Sequence, residues 1–324
     1  MRAVFIGSPP FAEDSFAALL QCKVPPVALI TAADSRSGRG RKPQINPLVE
    51  AATQAGLPVL RPERASESDF LSDFAALNPD LGVVVSYGQI LPQEFLDIPR
   101  FGCINLHGSL LPRWRGASPI QSAILAGDSK TGVSIQRMVL ALDAGPVLCE
   151  REVSIDAQIT APELFTKLAS EGSGLLVEFI QSLRAEIDDS GQFPQGLAQD
   201  QEAVTTCRKI SPSDATIDWT ASAIEIERLV RAMTGWPCAR TVAPCGTQLK
   251  ILSAAICDET EPNPASNPGV LVSVGQRLVV SCGEGLLEIG CLQRPGKTAL
   301  DAVEFLRGFA LQEGDCFGVG QQDD

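Results

Sequence analysis

The stretch LGVVVSYG, Leu81–Gly88, is a run of apolar, β-branched residues that stops at a serine, a tyrosine and a glycine. Its apolar residues are continuous rather than alternating, which predicts a strand buried on both faces. The same pattern recurs on either side. AVFIG (3–7) and VALITA (27–32) precede it and GCINLHG (102–108) follows, with helical spacing between them in FAEDSFAALLQ, PLVEAATQAG and ESDFLSDFAALN. Strands buried on both faces and alternating with helices build a mostly parallel sheet, so the first half is predicted as a doubly wound, Rossmann-like α/β domain. Such sheets hold ligands where loops leave the carboxyl ends of their strands.

Beyond Asp143 the pattern changes. PELFTKLASEGSGLLVEFIQSLRAEI (162–187) predicts one or two helices, and DDSGQFPQGLAQDQEAVT (188–205) is polar and rich in Gly and Gln, the composition of a linker. IDWTASAIEIERLVRAM (217–233) has a helical period, and short β-like segments follow it: CARTVA, TQLKILSAAIC, GVLVSV, RLVVSC and GLLEIGCLQ. Short strands punctuated by Gly and Pro predict a small, OB-like β-barrel. The expected organisation is an α/β domain over 1–188, a linker over 189–206, a barrel over 207–313 and a frayed tail over 314–324. No internal repeat or low-complexity tract is present.

The net charge of −13 argues against a nucleic-acid partner until its distribution is read. Residues 1–149 hold 13 basic and 13 acidic side chains, 150–206 hold 3 and 11, 207–312 hold 10 and 11, and the last twelve hold 0 and 4. The excess acid lies in the middle and at the tail, so both ends can present positive faces to a polyanion. No apolar run reaches the ~18 residues of a membrane helix, and the first apolar run is too short for a signal peptide. A cytoplasmic protein without a membrane partner is expected. The ten cysteines show no C-x-x-C spacing and read as buried free thiols, and no metal site is expected. Gly7 lacks the G-x-G-x-x-G spacing of a dinucleotide loop.

His107 is the chain's one histidine. Asn105 stands two residues before it on the same predicted strand, so both side chains leave one face. Asp143, in MVLALDAGPVL, is followed by Gly145 and Pro146 and predicts a turn. An amide, an imidazole and a carboxylate can together polarise a carbonyl, hold a developing oxyanion and move a proton. Each alone is more often a structural group, as a turn, a cap or a satisfied core residue, and the three carry chemistry only if they meet in space.

NLHGSLLPRWRGASPIQSAILAGDSKTGV followed by LDAG resembles the signature of the enzymes that use 10-formyltetrahydrofolate, most closely the methionyl-tRNA formyltransferases. GSPPF, RSGRGRK, GLPVLRPE, VVVSYGQILP, KISPSDATIDW, ERLVRAM with GWP, and QRPGKTAL extend the resemblance over nearly the whole chain. The resemblance implies Asn105, His107 and Asp143 as catalytic residues and 10-formyltetrahydrofolate as cosubstrate. It places the folate against Ser109, Leu110, Leu111 and Pro112 and beside Tyr87, Gln89, Ile90 and Leu91. It implies charged initiator tRNA as the partner of a monomer, with Arg36, Arg39, Arg41 and Lys42 of the basic loop reaching the acceptor end. A basic set running from Lys209 through Arg228, Arg231, Arg240, Lys250 and Arg294 to Lys297 is expected to hold the acceptor stem.

The chemistry accounts for the residue types. Amine attack on a formyl group develops an oxyanion, for which Asn105 and protonated His107 can donate, while Asp143 orients His107 and shares in the proton relay. Ala141 and Pro146 depart from the usual pattern around LD and leave the reacting groups in place. A formyltransferase acting on a sugar-nucleotide amine is the first alternative, and it would have no use for RSGRGRK. A purine-pathway formyltransferase usually lacks the second domain. A noncatalytic Rossmann-like RNA-binding protein would have no use for the three polar residues together.

Overall fold

The computed structural model describes residues 1–33, 46–257 and 267–318. They divide into two compact units, one formed by Met1–Pro119, Lys130–Ser154 and Phe165–Arg208, the other by Ile120–Ser129, Ile155–Leu164 and Lys209–Asp324. Among the described residues no helix is long and apolar enough to cross a membrane.

In chain order up to Arg208 the elements are β1 (Ala3–Gly7), α1 (Ala12–Gln21), β2 (Ala28–Ile30), α2 (Pro47–Gln54), β3 (Val59–Leu60), α3 (Ser68–Ala76), β4 (Leu81–Val85) and α4 (Gln93–Leu96). They continue with β5 (Cys103–His107), β6 (Arg115–Gly116), α5 (Pro119–Ala126), β7 (Lys130–Arg137), β8 (Val147–Ser154), α6 (Ala161–Ser190) and β9 (Thr206–Cys207). Seven strands form one sheet in the order β3-β2-β1-β4-β5-β7-β8. The pairs from β3 to β5 are parallel, and β7 and β8 are added antiparallel. Every residue of β1 and β4 is buried, as their continuous apolar runs require.

The strand order reverses between β1 and β4, the crevice position of a doubly wound sheet. One face of β5 and β7 lies under α6: a Cβ at Gly172 would stand 3.0 Å from Leu106 and 3.4 Å from Val133, so glycine lets the helix approach closely. On the opposite face Val84 and Cys103 pack with Phe70, Phe74 and Phe95, joined by Tyr87, Leu91 and Met138. Alternation along β5 puts Asn105 and His107 on this second face.

The Gly- and Gln-rich stretch expected to link the domains, 189–206, is fastened into the first unit over its second half. Leu197 and Val147 exchange two backbone hydrogen bonds of 2.8 Å, Gln199 is buried, and Arg115 N donates to Thr205 O at 2.9 Å. Its polar groups find partners far away in sequence rather than water, which composition does not reveal.

The second unit carries α7 (Ala223–Met233), β10 (Ala239–Val242), β11 (Gln248–Ile256), β12 (Leu271–Val274), β13 (Leu278–Ser281), β14 (Leu286–Gln293), β15 (Ala299–Asp301) and α8 (Ala302–Arg307). Its antiparallel sheet runs β10-β11-β14-β13-β12, with β15 also on β14. Asp315–Gly318, expected to be tail, joins the two ends of that order. Gly318 N donates to Val242 O and Phe317 N to Gly269 O, both at 2.8 Å, while Leu271 N donates to Asp315 O at 2.8 Å. The core gathers Trp219, Ile226, Leu249, Leu287 and Phe305. Helix α7 starts at a capping box, with Ser222 and Glu225 each binding the other's backbone N–H.

Trp219 Nε1 donates to Thr241 Oγ1 at 2.9 Å inside this core. Thr241→Val keeps the side-chain shape and leaves a buried N–H unpaired, so a loss of about 2 kcal/mol in urea unfolding is expected. An unchanged midpoint would contradict the role assigned to this bond.

Candidate active site

The site is built on the face of β5 and β7 that α6 leaves open. Asn105 is opposite Gln136 and His107 opposite Ser134 in the antiparallel register, so Asn105, His107 and Gln136 share that face. Among the described residues the Asn105 side-chain amide has no hydrogen-bond partner. It is half-buried and free to donate.

His107 is 6% exposed, and its Nε2 lies 3.0 Å from the carbonyl oxygen of Trp114. A carbonyl oxygen only accepts, so Nε2 carries a proton and Nδ1 is the ring's free nitrogen. Nδ1 faces Asp143 Oδ2 at 3.8 Å, a charge contact and too long for a hydrogen bond. The sequence predicts that Asp143 orients His107. In the structure the Trp114 carbonyl orients the ring, because Trp114 adopts φ 60° and turns its backbone toward the histidine.

Asp143 itself is firmly held. Oδ2 accepts from Gly116 N and Oδ1 from Gln136 Nε2, each at 2.9 Å. Asp143 is also left-handed, at φ 49°, a conformation in which aspartate is among the more tolerant residues. Two glycines make this arrangement possible. A Cβ on Gly116, at φ 122°, would stand 2.1 Å from Cys207 O, and one on Gly145 would stand 1.6 Å from Arg137 O. Ala141 is outside the left-handed region and fits as alanine.

Gln199 completes the site, and nothing in its polar surroundings singles it out in the sequence. Its Nε2 donates to Asp143 O at 2.8 Å and to Gly145 O at 2.7 Å, and its Oε1 accepts from Arg115 Nε at 2.9 Å. Trp114, Gly116, Gln136 and Arg115 likewise go unmarked. Their parts are played by backbone groups or by side chains with no motif of their own.

The residues expected around the folate divide into two kinds. Ser109 is fully buried with its hydroxyl donating to Arg113 O at 2.6 Å, and Gln89 is tied to Ala65 N and Glu63 O. Leu91 and Leu111 are buried, and Leu110 and Pro112 are half-buried. Ser134 Oγ holds the 109–111 turn by donating to Ser109 O at 2.8 Å and accepting from Leu111 N at 3.0 Å. Ile90, by contrast, is 94% exposed. Tyr87 sits in the apolar cluster with an unpartnered hydroxyl, and burial pushes its pKa up to about 12. Among the described residues no backbone N–H from Tyr87 to Leu91 is donated. Tyr87 and Leu91 share their cluster with Met138, so the loops after β4 and β7 converge on the Asn105 face.

Arg36, Arg39, Arg41 and Lys42 lie outside the described residues. The residues flanking that segment are joined, Asn46 Nδ2 donating to Thr31 Oγ1 at 3.0 Å. Lys209 is exposed at the start of the second unit's main segment. Of the remaining basic set, Arg240 and Lys250 stand directly opposite each other on β10 and β11. Arg231 is paired with Glu227.

Residues 1–180 match the formyl transferase family and residues 209–310 match the formyl transferase C-terminal domain. The chain is 43% identical over 311 residues to the methionyl-tRNA formyltransferase of Methylococcus capsulatus, covering 96% of this chain and 98% of that one. It is 41% identical to that of Magnetococcus marinus, covering 98% and 99%. A sugar 3N-formyl transferase, solved in the presence of dTDP and 5-N-formyl-THF, superposes with a TM-score of 0.65 at 17% identity, over 92% of this chain and 99% of that one, a likeness of fold. With an open amide, an imidazole and a fixed carboxylate gathered on one sheet face, and relatives matched over almost its full length, the chain belongs to the formyl transferase family, among the methionyl-tRNA formyltransferases.

Proposed function

We propose that this protein transfers the formyl group of 10-formyltetrahydrofolate to the α-amino group of methionyl initiator tRNA. The observation that carries the proposal is the meeting of Asn105, His107 and Asp143 in a chain matched end to end by relatives bearing that name.

The surroundings of Asn105 fit a folate. The undonated N–H groups of Tyr87–Leu91 offer an edge to a pterin, and exposed Ile90 gives apolar cover. The side chains of Ser109 and Gln89 are engaged with Arg113, Ala65 and Glu63, and Leu111 is buried, so their contribution to the donor runs through the backbone. The donor, when bound, supplies an activated formyl carbon. Asn105 then donates its amide N–H to the formyl oxygen as negative charge builds there. His107 takes the proton of the attacking amine at Nδ1, since Nε2 is committed to Trp114. The imidazolium so formed faces Asp143 Oδ2 at 3.8 Å, where the opposite charge stabilises it. The same Nδ1 can return its proton to the departing nitrogen. The cationic ring alone benefits from Asp143, which makes the carboxylate a stabiliser of the proton-loaded state.

Arg36, Arg39, Arg41 and Lys42 serve the tRNA acceptor end in this reading, and Lys209 with the domain over 207–313 serves its stem. The Arg240–Lys250 pair is a like-charge pair that a phosphate would relieve. Replacing Arg39, Arg41 and Lys42 by Ala is expected to raise KM for charged tRNA at least ~10-fold and flatten its salt dependence, with folate affinity unchanged. Equal losses for both substrates would make the loop structural. Formylation itself is tested by supplying the donor and charged initiator tRNA. An unblocked α-amino group after incubation, with a control formyltransferase active, would overturn the proposal.

A further inference from the structure

Asp143 sits in a loop that the core holds only lightly. Leu140 is 64% exposed and Leu142 is 72% exposed, so the residues before Asp143 gain little from burial. The aspartate is in the left-handed region, and the chain at Gly145 runs so close to the Arg137 carbonyl that a Cβ would not fit. Gly116 N and Gln136 Nε2 hold the Asp143 carboxylate, and the backbone carbonyls of the turn need an anchor of their own.

Gln199 meets that need from a segment more than fifty residues away. A primary amide has two hydrogens, and the short contacts at 2.8 and 2.7 Å place one on Asp143 O and one on Gly145 O. The 3.4 Å approach of the same nitrogen to Gln136 Oε1 shares those hydrogens and adds little. Which end of the amide faces the loop is settled by Arg115. Its Nε–H can only donate, so the oxygen of Gln199 must face it and the NH₂ must face the two carbonyls. The reverse orientation would set an oxygen against two oxygens and an N–H against an N–H. Arg115 is itself 9% exposed, with Nη2 unpartnered, a buried group retained although it is not fully satisfied.

We propose that Gln199 is a positioning residue for formyl transfer, pinning the backbone on both sides of Ala144 so that the Asp143 carboxylate faces Nδ1 of His107, and that Arg115 sets the orientation of its amide. The proposal rests on the reading of Asp143 as the stabiliser of cationic His107. Gln199 touches no reacting atom and acts through the loop. Its effect therefore falls on the chemical step and not on binding.

Gln199→Glu is the informative variant, because it keeps the shape and the bond to Arg115 and takes away both hydrogens that hold the loop. At pH 8 its kcat is expected to fall about 30-fold with KM for both substrates within ~3-fold, set against the 10²–10⁴-fold span of a positioned acid or base. Lowering the pH protonates the introduced carboxylate and restores one donor, so the deficit relative to the parent should shrink toward acid pH. Gln199→Met, with no donor at any pH, should show a deficit independent of pH. Arg115→Met is expected to lower kcat less than Gln199→Glu, since it frees the amide to flip without removing it. Melting temperatures identify any variant that fails to fold, and the pH dependence of the Glu-to-Met difference is read on folded protein only. Asp143→Asn, measured alongside, separates the two layers. If it retains near-full kcat, the reading of Asp143 fails. If it loses activity while Gln199→Glu keeps parental kcat at pH 8, or if the Glu and Met variants share one pH profile, the positioning role of Gln199 is overturned and that of Asp143 stands.

Discussion

His107→Gln is expected to lower kcat about 10³-fold while leaving donor affinity within ~2-fold and the melting temperature nearly unchanged. Glutamine can still donate an amide N–H from near the place of Nε2 toward the Trp114 carbonyl, the bond that holds the imidazole at 3.0 Å, so the local fold survives. What it cannot do is accept a proton where Nδ1 stood. The 3.8 Å gap between Nδ1 and Asp143 makes the same point from the other side: the carboxylate has a role only when the ring is positive. With glutamine in place, the attacking amine must lose its proton to water, and Asp143 has no cation to stabilise. A fall of less than ~10-fold would mean that proton transfer passes through another group.

Gly145→Ala is expected to cost about 3 kcal/mol of stability and, in whatever protein remains folded, about 10²-fold in kcat. A Cβ there would lie 1.6 Å from the backbone oxygen of Arg137, at the end of β7, and no flexible side-chain tip is available to yield. The loop must move away from the strand. Its displacement separates Gly145 O from Gln199 Nε2 and carries Asp143 off Gly116 N and Gln136 Nε2. A stable Gly145→Ala protein with parental kcat would show that the loop tolerates several shapes and that its anchoring is incidental.

Much of this fold follows from local patterns. Leu81–Val85 and Ala3–Gly7 are wholly apolar because they lie at the centre of a covered sheet, and the two-residue alternation along β5 places Asn105 and His107 on one side. Glycine and proline after Asp143 mark a turn. The fastening of that turn is not legible. It depends on the amide of Gly116 and the side chain of Gln199, groups brought to Asp143 across tens of residues. Backbone donors carry no sequence signature, and a glutamine among glutamines reads as solvent-exposed linker. Asp315–Gly318 is hidden for the same reason, since its value lies in the strand edges it joins. Asp143 as the orienter of His107 is the one relation that residue types suggest and geometry redistributes.

The most direct test supplies 10-formyltetrahydrofolate with two acceptors in parallel, charged initiator tRNA and a nucleotide-linked amino sugar, and follows the fate of the formyl group. The account predicts N-formylmethionyl-tRNA, with the amino sugar unmodified and with tRNA formylation falling steeply as salt rises. Formylation of the amino sugar with the tRNA left unblocked would contradict it.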